Sequence, residues 1–302
     1  QPLQPVFNFD SSLRLMDGRG AMIWLVIPTP FPMAQPLHIL WQDDHLVAVY
    51  KPAGWLVHRT GLDAGETRFV MQTLRDQLGR HVFPVHRLDK GTCGVLVMAL
   101  HSDAARALSQ SFENQATHKV YIAMVRGWAP PAVEVDHPLR PDDAPPDAPV
   151  QSAHTRFRTL AQLTLPEASD PRFATTRASL VEAVPTTGRR HQIRRHLKHL
   201  AHPIIGDATH GKGPLNRWWA QRLGQQRLWL HALRLSLPHP LTGEMLHLHS
   251  GLPLQPAPGS DVAACPHNPE VPEAPSLDWQ RLQTDWPWQW LNNASAATPV
   301  RA

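Results

Sequence analysis

One short run holds the residues best suited to chemistry: His86-Arg87-Leu88-Asp89-Lys90-Gly91-Thr92-Cys93-Gly94, which passes directly into an apolar stretch. Asp89 stands in a tight turn beside two glycines, ahead of what reads as a buried strand. Loops held by rigid strands are where reactive groups tend to be placed, and a carboxylate there can act as nucleophile or base. Gly91 and Gly94 carry no Cβ, so backbone can approach a ligand closely at both. The plainer alternative is a structural aspartate tied to Arg87 or Lys90.

A second run, Thr187-Gly188-Arg189-Arg190-His191-Gln192-Ile193-Arg194, reads as a glycine turn opening a helix whose first turns are crowded with cations. A helix N-terminus favours anions and disfavours cations. Arginines placed there imply a counter-charge such as phosphate or carboxylate, unless they form a solvated basic face. Residues 183–206 contain no Asp or Glu, yet they hold Arg189, Arg190, Arg194, Arg195 and Lys198 with four histidines. A third run, His118-Lys119-Val120-Tyr121, contains one of only two tyrosines, Tyr50 being the other. A strand tyrosine taken alone usually signals packing.

These groups need a frame to bring them together. Apolar patterning predicts a strand pair at residues 37–41 and 46–50, a helix over 67–78, and a strand over 94–100. Ser102 is read as the cap of a helix running to about residue 114. Further strands are expected at 119–125, 155–163, 179–184, 228–237 and 244–249, with a helix over 190–201. No regular βαβ repeat is present. The class that follows is α+β, a mixed and largely antiparallel sheet with flanking helices. Residues 1–36 are Pro-rich and read as a poorly ordered N-terminal extension, with Met33 a candidate start. Residues 37–252 form the globular domain, interrupted by a Pro- and Asp-rich loop or insertion at 129–149. Residues 253–302 are a Pro/Trp-rich tail whose Trp279, Trp286, Trp288 and Trp290 are candidates to dock on the core.

Composition narrows the function classes. The chain has 302 residues, a formal charge of +4 and 42% hydrophobic residues, enough for an ordinary core. A pI near 9.4 permits an RNA partner. The longest early apolar run, residues 22–27, is cut off by Pro28, too short for a membrane span or an export signal. A soluble cytoplasmic protein is expected. Cys93 and Cys265 lie far apart without zinc-like spacing, which argues against a disulfide framework. His247 and His249 would share one strand face, but no motif completes a metal site. No dinucleotide or phosphate-loop fingerprint is present, so neither a metal nor a cofactor is expected.

Five ordered segments together resemble the RluA-type pseudouridine synthases. They are the run from His86 into its apolar strand, the Lys119-Val120-Tyr121 motif, the run Thr187 to Arg194, the segment Ala201-His202-Pro203-Ile204-Ile205-Gly206-Asp207, and Leu228-Trp229-Leu230-His231-Ala232. The resemblance covers about residues 37–252. It implies that Asp89 is the nucleophile, and that Arg194 pairs with it, holding it charged and aimed. Tyr121 would stack on the target uracil and help remove its C5 proton, and Leu230 would floor the pocket. Arg87, Arg189, Arg190, His191, Arg195 and Lys198 are then expected to bind RNA. Cys93 departs from the family, which usually has serine there. A finer resemblance, in Gly54-Trp55-Leu56-Val57-His58-Arg59, in Val70-Met71-Gln72-Thr73 with Arg75-Asp76-Gln77, and in Gly206-Asp207-Ala208-Thr209-His210-Gly211, points to the branch acting on position 65 of tRNA. Ribosomal RNA is the alternative substrate. A non-catalytic RNA-binding protein, with Asp89 only ordering a loop, is the alternative of another class.

Overall fold

A computed structural model describes residues 12–16, 22–26, 36–59, 65–142, 144–145, 147–254, 277–291 and 300–301. Residues 1–36 and 37–302 form two separate units. In the first, β1 (Ser12–Met16) pairs antiparallel with β2 (Met22–Val26), Ser12 opposite Val26. The segment read as an unpatterned extension thus contains a hairpin. Five-residue strands are too short to display a sustained period.

The second unit runs β3 (Ile39–Gln42), β4 (Leu46–Lys51), α1 (Val70–Leu78), β5 (Phe83–Pro84), β6 (Cys93–Ala99), α2 (Ser102–Glu113), β7 (His118–Arg126), β8 (Ala132–Asp136), β9 (His154–Leu165), β10 (Thr176–Pro185), α3 (Gln192–His199), α4 (Gly213–Leu223), β11 (Leu230–Pro238), β12 (Met245–His249), α5 (Leu277–Thr284), β13 (Gln289–Trp290) and β14 (Val300–Arg301). Among the described residues these strands form one sheet, ordered β14-β8-β9-β10-β7-β11-β6-β4-β3, with β12 beside β11, β13 beside β9 and β5 beside β6. Only β11 with β6 and β14 with β8 run parallel there. The α+β class with a largely antiparallel sheet is what the patterning implied.

Burial follows the residue pattern. β9 alternates inward and outward residues, as a strand with one solvated face must. β4 is buried on both faces. Its Leu46, Ala48 and Tyr50 enter the main core, while Val47 and Val49 join Val70 and Leu74 of α1, with Leu96 and Met98 of β6, in a second cluster. Each fully buried leucine there contributes about 1.5–3 kcal/mol.

Several boundaries differ from expectation. α1 starts at Val70, not Thr67, because Leu56 N donates to Arg68 O and Val70 N to Leu56 O, which holds residue 69 extended against Leu56. His101, not Ser102, caps α2, its ring accepting from Ala104 N at 3.3 Å. The insertion contributes β8. The tail contributes α5 and β13, with Trp279 and Trp288 buried in the main core and Trp286 and Trp290 packed against it. Cys265 lies outside the described residues. Among the described residues, no helix is long and apolar enough to cross a membrane.

Candidate active site

The Asp89 loop is clamped from beneath by a buried cation. Lys51, at the end of β4, donates from Nζ to the carbonyls of Pro52 (3.1 Å), Lys90 (3.1 Å) and Thr92 (2.6 Å). Burial pushes its ammonium down to about 7, against the opposing pull of Cys93 and Asp89. Gly54 N donates to Lys90 O, and Thr92 N closes the turn onto Asp89 O at 3.0 Å. Upstream, His86 stacks on Phe112 and accepts from Val97 N at 2.9 Å. Burial, then Lys119, lowers that ring to about 3, so it is a neutral acceptor.

The two glycines of the loop serve packing rather than a ligand. A Cβ on Gly94 would stand 2.1 Å from Ala232 O, and one on Gly91 would stand 2.8 Å from Leu228 Cβ. They let the loop root lie against β11 and the chain entering it. Nor is Asp89 tied to Arg87 or Lys90: Arg87 is exposed and Lys90 pairs with Glu66.

The partner of Asp89 comes from α3. Arg194 Nη1 donates to Asp89 Oδ2 at 3.0 Å, while its Nε and Nη2 donate to the two oxygens of Asp207 at 2.7 and 2.8 Å. The Arg194 side chain is 9% exposed and that of Asp207 is wholly buried. Burial alone would raise Asp207. The bonds from Arg194 and the amides of His210 and Thr209 outweigh it, so its carboxyl is held below the usual carboxylate range. Burial works against the Arg194 charge, and the two carboxylates more than restore it.

The helix starts at Gln192 rather than residue 190, and a buried amide explains why. Gln192 Oε1 accepts from Thr187 Oγ1 and Arg189 N, while Nε2 donates to His154 O and Thr155 Oγ1. These bonds hold residues 187–191 as a loop. His191 lies in the left-handed region at φ 55°, rare outside glycine. Its Nε2 is 3.9 Å from Asp89 Oδ1 and its Nδ1 is 2.8 Å from Asp142 Oδ2. Burial lowers this ring, with Asp89 opposing and Arg194 reinforcing the shift.

These elements surround a cavity of about 390 Å³, lined by Asp89, Tyr121, Arg194 and Leu230, with Arg87, Lys119, Arg189 and His191 also on its wall. Tyr121 sits on β7 between β10 and β11, opposite Ala183 and Ala232. Burial raises its phenol above the ordinary range, and the charge of Asp89 adds to that. Lys119 Nζ donates to Thr187 O at 3.1 Å, linking the two motifs. Arg190, Arg195 and Lys198 are not among the lining residues. Arg190 and Arg195 lean on Asp142, at 3.6 and 3.2 Å, and Lys198 is exposed along α3.

Three groups at the site carried no role in the sequence reading. Asp207 lay in a quoted motif, and Lys51 ends an apolar run just before a proline, so both left a trace. Asp142 sits in the unpatterned insertion and left none. Cys93 faces away from the cavity, its Sγ 2.9 Å from Arg227 Nη2 and 3.2 Å from His231 Nδ1. Burial would raise that thiol, but the neighbouring His231 and Arg227 bring it below its ordinary value. Among the described residues, no group of three or more His, Cys, Asp or Glu could hold a metal ion. His247 and His249 bond instead to Ser236 Oγ and Gly251 N.

Asp89, Arg194 and Tyr121 converge on one cavity of a mixed sheet. A family model for RNA pseudouridylate synthases matches residues 45–199, and the chain belongs to that family. A protein of Vibrio cholerae named tRNA pseudouridine synthase C is 51% identical over 72% of this chain and 91% of its own length. A Yersinia pestis protein of the same name is 51% identical over 70% of this chain and 85% of its own. Human RNA Pseudouridylate Synthase Domain Containing 1 shares the fold, with a TM-score of 0.58 at 24% identity over 76% of this chain and 88% of that one.

Proposed function

We propose that the protein isomerises a uridine of tRNA to pseudouridine, at position 65, with Asp89 as its catalytic carboxylate. One observation carries this reading: Asp89, held by Arg194, opens on the same cavity as Tyr121. A volume of about 390 Å³ has room for one flipped nucleoside, not for a paired stem. Flipping costs a few kcal/mol, and contacts between phosphates and the surrounding arginines offset it.

The reaction breaks the N1–C1′ bond, forms a C5–C1′ bond, releases the C5 proton and leaves N1 carrying a proton in its place, with no net change in oxidation state. The Asp89 carboxylate either attacks C1′ or acts as the base that gives a glycal. Both routes place it at the sugar. Arg194 aims it, braced by Asp207. Leu230 floors the pocket and Tyr121 stacks on the uracil. Because the phenol is held protonated, it takes the C5 proton only while its own passes to the Asp89 carboxylate on the same cavity, so its role is a relay. Tyr121→Phe keeps the ring and loses the relay. Single-turnover rates should fall on the order of 10²–10⁴-fold, with RNA binding retained. Normal turnover would remove the relay.

The tRNA assignment rests on the names of the relatives and on the runs at residues 54–59 and 206–211. A compact RNA is read largely by shape and backbone, and a tRNA substrate suits a cytoplasmic enzyme. Mapping pseudouridine in tRNA and ribosomal RNA from cells lacking the protein should show one loss, in tRNA. A loss confined to ribosomal RNA would refute the substrate and leave the chemistry standing.

A further inference from the structure

We propose that Arg190, His191 and Arg195 form a subsite for one backbone phosphate of the RNA, and that Asp142 fills it in the free protein and is displaced on binding. This rests on the reading that the substrate is RNA. Asp142 comes from the loop between β8 and β9, remote in sequence from α3. Its Oδ2 is 2.8 Å from His191 Nδ1 and 3.6 Å from Arg190 Nε, and its Oδ1 is 3.2 Å from Arg195 Nη1. One carboxylate therefore meets three donors from a stretch that carries no acid of its own. A phosphodiester presents the same pattern, a single negative charge on two oxygens, and suits arginine equally well.

Position and exposure support the exchange. His191 bridges the subsite to the reacting centre, with Nε2 3.9 Å from Asp89 Oδ1. A phosphate bound there lies one imidazole away from the catalytic carboxylate, a spacing suited to the backbone beside a flipped nucleotide. The side chains of Asp142 and Arg190 are 23% and 43% exposed, so water can attend the exchange. Asp207, with its side chain fully buried against Arg194, is by contrast a fixed strut. The loop is closed at its base, where Leu139 is buried and exchanges both backbone hydrogen bonds with Gln151. The loop backbone is also tied to α3, where Arg195 Nη1 donates to Arg140 O at 2.6 Å, so the exchange needs only the Asp142 side chain to turn away.

Asp142→Asn tests the exchange, read by tRNA affinity across a salt series. Removing the competing anion should tighten binding about threefold to tenfold, the scale of a partly exposed ion pair, and steepen the salt dependence. The gain should vanish in an Arg195→Ala background. Arg195→Ala alone should weaken binding and lower the salt slope by about one. Unchanged or weaker binding by Asp142→Asn would show that the carboxylate only buttresses the loop, and would overturn the proposal. So would an Arg195→Ala variant that binds like wild type. Wild-type inactivity toward C5-tritiated tRNA and ribosomal RNA alike would refute the enzyme reading alone. The binding comparison would still decide the subsite.

Discussion

Asp89→Asn is expected to reduce pseudouridine formation at least about 10³-fold, since removing the carboxylate proposed to act at the sugar leaves only binding and orientation. RNA affinity and stability should change little, for reasons visible around the loop. Asparagine keeps an oxygen that can accept from Arg194 Nη1. The guanidinium is not orphaned, because Asp207 holds two of its other nitrogens at 2.7 and 2.8 Å. The loop itself is fixed by backbone carbonyls on Lys51, which the substitution does not touch. Tritium release from C5-labelled tRNA reads the chemistry, and a filter-binding curve reads the affinity. Activity within about tenfold of wild type would remove Asp89 from its role. Lost binding alongside lost activity would make it an organising residue instead.

Asp207→Ala should be the most damaging change to stability. It leaves Arg194 buried with only Asp89 to balance it and strips the acceptor from the amides of Thr209 and His210. Breaking a buried pair by removing one partner costs about 3–5 kcal/mol, or roughly 6–20 °C in Tm for a domain of this size. The carboxyl of Asp207 is depressed in the folded state, so its contribution is complete above the unfolded carboxylate pKa of about 3.9. It disappears as pH falls through the lower folded value. Thermal melts of the two proteins should therefore be well separated at neutral pH and converge under acid. A variant that melts within about 2 °C of wild type at pH 7 would refute the strut, since that corresponds to under about 1 kcal/mol.

Much of the frame is legible in the residues. The strands at 46–51, 93–99 and 118–126 follow from unbroken or alternating apolar runs, because a pleated backbone sends alternate residues to opposite faces. Where local pattern loses to distant partners, element boundaries shift. Residues 67–69 look helical but are held extended by Leu56, and residues 190–191 look helical but are held as a loop by the buried Gln192 amide. α5 was hidden in a Pro-rich tail, because its eight residues form a helix only through Trp279 and Leu282 against the core.

The sequence by itself determined the class of fold through residue type and spacing, which a linear chain carries in full. Its resemblance to a known family, not spacing, singled out Asp89, Tyr121, Arg194 and Leu230. Only the tertiary structure decided how Arg194 is shared between two carboxylates. Arg194 has three donor nitrogens to place, and nothing local reveals that Asp207 takes two of them while Asp89 takes one. Gly94 reads as room for a ligand until β11 is seen against it. Asp142 lies in a stretch without pattern, and its charge acquires a use only because the sheet carries that loop over α3. Electrostatic partners are chosen by distance in space, and distance in space is set by the whole sheet rather than by any segment of it.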